Sequence, residues 1–204
     1  VGHLTIQLAK NVFGVSTVAA TSSAAKHAFL RECGADVCVD YTQRGDEGDF
    51  TKVLTREGNV YDAAMDCTGE VSKCKKVVKP GGHVISILSV PNSDMLRRVT
   101  QYYHMPDLGC CLYNAIDCCL CVCCVSCGGH AECRGIVTLP DGAELERVLG
   151  FCTEGKLRVT TDRVYPLSRA SDAFDYLQKG RVVGKVVVEV RPGACEDAKQ
   201  LNPL

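Results

Sequence analysis

The hydroxyl run Thr21-Ser22-Ser23 is followed one turn later by Lys26, with no Asp or Glu between Ala19 and Lys26. Hydroxyls donate hydrogen bonds and an ammonium supplies positive charge, a combination suited to a phosphate. In a dinucleotide-binding fold, the end of the second strand carries an acid when the ribose 2′-hydroxyl of NAD is to be held. No acid stands there to repel a 2′-phosphate, so the expected cofactor is NADP(H). The plainer reading makes Ser22 and Ser23 helix N-caps and Lys26 a solvated charge. Gly2 opens an amphipathic helical stretch and is a candidate for the last glycine of a phosphate-cradling turn, whose following helix aims its amides at a pyrophosphate. A lone glycine fits the end of an unrelated turn equally well.

A third constellation is rich in thiols. Nine of the 15 cysteines fall between Cys110 and Cys133, and Cys124, Cys127, His130 and Cys133 are spaced C-x2-C-x2-H-x2-C. Three thiolates and an imidazole satisfy a tetrahedral zinc, and reactive or redox thiols are another use of the same residues. Further cysteines at Cys110, Cys111, Cys118, Cys119 and Cys121 leave no unique ligand set. Alternating Cys and Val is also what TG-repeat DNA encodes, and a low-complexity insertion without function is the preferred reading; no metal is expected. The other six cysteines, Cys33, Cys38, Cys67, Cys74, Cys152 and Cys195, are scattered as small buried residues would be, which suits a reducing compartment.

The elements that must position these groups alternate. Leu4, Ile6, Leu8 and Ala9 mark a helix over 2–10, and a β-branched run follows at 15–20. A helix is expected over 24–31, stopped by Gly34, then a strand at 36–40, a short helix at 46–56, a strand at 60–66 and a helix at 70–78. Pro80-Gly81-Gly82 breaks that helix before the nearly all-apolar strand 84–88, the kind buried on both faces of a parallel sheet. Beyond the cysteines, a strand is expected at 136–139 and a helix at 143–154. A helix over 168–179 should bury Ala170, Ala173, Phe174 and Leu177, and a strand follows at 185–190. Strands alternating with helices predict an α/β fold with a doubly wound (Rossmann) parallel sheet.

Composition narrows the partners. The 204 residues carry 23 Lys+Arg against 24 Asp+Glu, a net charge of −1, and 46% hydrophobic residues. That balance offers no electrostatic footprint for nucleic acid or an anionic membrane, so a small molecule is expected. The longest uncharged apolar stretch, about 118–125, falls far short of the ~20 residues of a membrane-spanning helix. The first residue is Val1, and a fragment of a longer polypeptide or of an incomplete gene model is expected.

The strings VGHLTIQLAK, SSAAKHAFLRECGADVCVDYT, YDAAMDCTGE, VVKPGGHVISIL and LPDGAELERVLGFCTEGKLRVTTDRVYPLSRASDAFDYLQKGRVVGKVVVEV, in this order, resemble the medium-chain dehydrogenase/reductase superfamily. Within it the resemblance is to the zinc-independent quinone oxidoreductase and enone reductase branch, over 1–88 and 136–190. It implies that Gly2 matches the final glycine of the phosphate turn, and that Ser23, Lys26 and Tyr41, with Ser22 beside them, surround the adenosine 2′-phosphate. Cys67, Thr68 and Gly69 would lie beside the adenine ribose, and Leu88 with Ser89 beside the nicotinamide. The superfamily's GroES-like substrate domain and first sheet strand have no counterpart here, which would leave the sheet in two halves with unpaired inner edges.

The implied organisation is a partial dinucleotide-binding domain over 1–153 with a Cys-rich insertion at about 104–133. A segment over 154–190 would return toward the absent domain, and a polar tail covers 191–204. The implied activity is hydride transfer from NADPH to a quinone or an α,β-unsaturated carbonyl by the intact, cytoplasmic or organellar protein, with the 204-residue chain itself inactive and no catalytic acid assignable. A homodimer is allowed. Two rivals stand: a zinc-dependent alcohol dehydrogenase of the same superfamily, and a non-catalytic nucleotide-binding or sensor module.

Overall fold

The elements follow from periodicity and glycine placement, as seen in a computed structural model that describes residues 1–56, 58, 60–88, 93–104, 131–136 and 139–191. In chain order they are α1 (Gly2–Gln7), β1 (Ala19–Ser22), α2 (His27–Glu32), β2 (Val37–Asp40), α3 (Phe50–Thr55), β3 (Tyr61–Asp66), α4 (Val71–Val77), β4 (Val78–Ser86), α5 (Ser93–Tyr102), β5 (Glu132–Gly135), α6 (Gly142–Thr153), β6 (Thr161–Pro166), α7 (Ala170–Gln178) and β7 (Lys185–Glu189). Helical turn continues past α1 over Leu8–Val12 with the wider π spacing. Single 3-10 turns precede α2 (Ala24–Lys26), α3 (Gly45–Glu47) and α7 (Leu167–Arg169).

The strands form three sheets, ordered β1-β2, β3-β4-β5 and β6-β7. β4 is parallel to both of its neighbours, and β6 is parallel to β7. Parallel strands joined through helices are the Rossmann pattern expected of this chain. Two compact units result, one of Val1–Cys38 with Gly142–Leu204, the other of Val39–Asp141.

In the first unit, Ile6 of α1, Leu30 of α2, Cys33 and Ala35 make a core against which Val18, Ala20, Phe29 and Cys38 pack. The buried His3 lies against Phe29, ring centroids 5.7 Å apart, and burial holds its imidazole below the usual histidine range. Lys10 pairs with Asp36 at 2.9 Å, and the same carboxylate accepts the Val18 amide at 2.7 Å, fixing where β1 begins.

β6 is a strand that the sequence does not announce, because Thr161-Asp162-Arg163 breaks the apolar pattern. Asp162 stabilises it by accepting the Tyr176 hydroxyl at 3.0 Å and the Val183 amide at 2.9 Å. The face expected of α7 is only partly realised: Ala173 is buried, while Phe174 and Leu177 are exposed. The helix is tied to β6 through Tyr176, whose ring centroid lies 6.4 Å from that of Tyr165, and its bulkier apolar residues are left exposed.

Gly184 leads into β7 at φ +105°, and a Cβ there would collide with the Thr160 carbonyl oxygen that accepts the Lys185 amide at 2.8 Å. Left-handed strain and the clash act together. Gly184→Ala should therefore destabilise the chain by roughly 2 to 3 kcal/mol. Thermal unfolding followed by circular dichroism would check this, and an unchanged midpoint would contradict it.

In the second unit, β4 starts earlier than its sequence suggests. Tyr61 pairs with Val78 and Ala63 with His83, so Lys79-Pro80-Gly81-Gly82 bulges from the strand instead of ending a helix ahead of it. Proline has no N–H to give the ladder, and the bulge absorbs that gap. The strand read at 136–139 lies instead at Glu132–Gly135, in register with 83–86 of β4. Within β4, Val84 and Ser86 are almost wholly buried. The Cys-rich run up to His130, Ser89, and the tail beyond Arg191 lie outside the described residues.

Candidate functional site

Gly2 is the first residue of α1 and is exposed, with open space where a Cβ would stand. Ser22 closes β1, buried, and its hydroxyl donates to the Ser23 carbonyl at 3.1 Å. Ser23 stands at the N-cap position of the following 3-10 turn, and its carbonyl accepts the Lys26 amide at 2.9 Å. Its hydroxyl makes no capping bond, so the plain capping role is not the one its side chain fills. Lys26 Nζ donates to the Val182 carbonyl at 3.2 Å. An ammonium has three donors, and this contact orients the group while leaving capacity for an oxyanion. Within the first unit, then, Ser22, Ser23 and Lys26 share one strand-to-helix turn.

The second unit holds the other candidates. Tyr41 follows β2 and its ring is well exposed. Asp40 just before it accepts the Thr42 amide at 2.9 Å and the Thr42 hydroxyl at 2.7 Å, which shapes the loop carrying Tyr41. Cys67, Thr68 and Gly69 form the turn from β3 into α4. Gly69 sits at φ +89°, a conformation that costs a glycine little. Leu88 follows the end of β4 and is exposed.

What sets both of those segments is Asp66, the last residue of β3, which the sequence reading passed over. It is 2% exposed, and one carboxylate oxygen accepts the amides of Thr68 (2.9 Å), Gly69 (2.9 Å) and Glu70 (3.0 Å). The other accepts the Ser86 hydroxyl at 2.8 Å. Burial alone would raise the Asp66 pKa, but the donated hydrogen bonds outweigh it and hold the carboxyl below the usual range. The Cys67 thiol is pushed up by burial, with the Asp66 charge adding to it, and burial drives Cys74 up to about 11. Neither is a ready thiolate nucleophile. An Asp at the end of an apolar strand, ahead of a Thr-Gly pair, is the signal that could have marked this hub.

Two models of zinc-binding dehydrogenases match the chain, one over residues 1–97 and a second over 126–188. The chain belongs to the medium-chain dehydrogenase/reductase superfamily. Relatives place it in the quinone oxidoreductase branch of that superfamily. The 2-methylene-furan-3-one reductase of Solanum lycopersicum is 31% identical over 94% of this chain and 38% of its own length. A chloroplastic NADPH-dependent alkenal/one oxidoreductase of Arabidopsis thaliana is 30% identical over 92% of this chain and 37% of its own. The quinone oxidoreductase structure from Coxiella burnetii superposes with a TM-score of 0.65 at 26% identity, covering 93% of this chain and 49% of that one. This superfamily member thus spans less than half the length of these relatives. Among the described residues, no three His, Cys, Asp or Glu side chains gather as metal ligands.

Proposed function

We propose that this protein is an NADPH-dependent oxidoreductase that reduces a quinone or the carbon–carbon double bond of an α,β-unsaturated carbonyl. The observation that carries the cofactor choice is the acid-free turn at the end of β1, where Ser23 keeps an uncapped hydroxyl and Lys26 is held on the Val182 carbonyl. Support for the substrate class comes from the relatives, which are named as a furanone reductase, an alkenal/one oxidoreductase and quinone oxidoreductases.

In this reading Ser22, Ser23 and Lys26 bind the 2′-phosphate, and Gly2 lets the chain approach the pyrophosphate. Cys67, Thr68 and Gly69 face the adenine ribose. Leu88 with Ser89 flanks the nicotinamide, where the apolar Leu88 side chain excludes water. NADPH when bound would supply the hydride, the share of this chain is orientation and exclusion of water, and the proton that completes the reduction comes from solvent or from a group that these 204 residues do not contain. The cofactor-binding division runs over 1–153, followed by the segment 154–190. A small-molecule quinone or enone is the partner.

Lys26→Ala decides the phosphate assignment. Loss of a charge-assisted phosphate contact should weaken NADPH roughly ten- to a hundredfold while leaving NADH within about twofold. Fluorescence titration with each nucleotide measures both, and equal weakening of the two would sink the assignment.

A further inference from the structure

The amides of Thr68, Gly69 and Glu70 point together at one spot, and that spot is already filled by the Asp66 carboxylate. Three converging amides left open would attract an anion. Here they are spent on an internal one whose charge repels another, so a cofactor crossing this turn must present a neutral group, a ribose hydroxyl or a base, and not a phosphate.

The same carboxylate reaches into the next strand. Asp66 and Ser86 are register partners on β3 and β4, each 2% exposed. The Ser86 hydroxyl donates to Asp66 at 2.8 Å, and its oxygen accepts the Leu88 amide at 3.1 Å. The Asp66 carbonyl accepts the Ile87 amide at 3.1 Å. A continuous chain of donors therefore runs from the Leu88 backbone through Ser86 to Asp66 and out to the 67–70 turn. Low exposure keeps water from substituting for any inner link.

We propose that Asp66 and Ser86 are positioning residues for the cofactor, Asp66 setting the turn at Cys67–Gly69 and Ser86 carrying that placement across to Leu88. This rests on the reading that these two segments face the ribose and the nicotinamide. Its consequence is asymmetric. Asp66 holds both segments, whereas Ser86 is the link to Leu88 alone, so the two residues should affect different parts of one ligand.

Adenosine 2′,5′-bisphosphate carries the adenosine half of NADPH without the nicotinamide, and it separates the two ends. Titrated into the 204-residue chain, NADPH should bind about tenfold more weakly to Ser86→Ala, with the bisphosphate within twofold of the parent. Asp66→Asn should weaken both ligands by about tenfold or more. Backbone amide exchange by NMR provides a readout that needs no ligand: Ser86→Ala should speed exchange at Leu88 and leave Thr68, Gly69 and Glu70 as they were. Equal loss of both ligands in Ser86→Ala, no loss of either, or faster exchange at the turn as well would overturn the proposed pair. A parent chain that binds neither ligand would instead overturn the cofactor reading and this role with it, and the exchange pattern tells that failure from failure of the pair alone.

Discussion

Asp66→Ala is expected to be the most damaging single substitution in the second unit, lowering stability by roughly 3 to 5 kcal/mol. The carboxylate accepts three backbone amides and the Ser86 hydroxyl, and alanine offers none of them an acceptor. A buried donor left unsatisfied costs about 1 to 3 kcal/mol. Thr68 and Gly69 are exposed enough for water to reclaim part of that, whereas the Ser86 hydroxyl is not. At about 2 to 4 °C per kcal/mol for a chain of this size, the unfolding midpoint should fall by roughly 6 to 20 °C. A midpoint within about 3 °C of the parent would show that the carboxylate is not what orders the turn.

The acid dependence of that contribution has a definite sign. The Asp66 pKa in the folded chain lies below its unfolded value. The stabilisation is therefore fully present above the unfolded pKa and is lost as pH falls through the folded one. The gap in unfolding midpoint between the parent and Asp66→Ala should narrow on acidification below the ordinary carboxylate range and stay constant at neutral pH.

Gln7→Leu should cost roughly 2 to 4 kcal/mol although leucine has nearly the same volume and Gln7 lies in a helix. Gln7 is buried, and its side-chain amide works on one distant residue from both ends: the oxygen accepts the Arg158 amide at 2.7 Å and the nitrogen donates to the Arg158 carbonyl at 3.0 Å. This is the two-way pairing of a strand ladder, made by a side chain. It fixes the segment after α6, where Leu157 is 2% exposed, against α1, and Asn11 adds a bond to the Lys156 carbonyl at 2.8 Å. Leucine keeps the packing and abandons both backbone groups. A midpoint lowered by roughly 4 to 16 °C, with faster amide exchange at Arg158, is the expected result. An Arg158 amide that exchanges as slowly as in the parent would refute the clamp.

By itself the sequence determined what neighbouring residues can settle. The alternation of strands and helices, the stop at Gly34, the strand ending at Asp66 and the helix read at 143–154 and found at Gly142–Thr153 are all written in local periodicity and in glycines. The hydroxyl–lysine turn was legible for the same reason, because Ser22, Ser23 and Lys26 fall within five positions of one another.

Only the tertiary structure decided which strands pair, that β4 bulges at Pro80 instead of starting beyond it, and that Thr161–Pro166 is a strand at all. It also decided which polar residues matter. Asp66 and Ser86 lie 20 positions apart and Gln7 and Arg158 lie 151 apart, and each pair looks unremarked in its own surroundings. A buried hydrogen bond owes its strength to the exclusion of water, and no local stretch of chain can exclude water alone. Register between strands brings Asp66 to Ser86, and docking of the segment after α6 onto α1 brings Arg158 to Gln7. Those contacts exist only once the fold has closed around them.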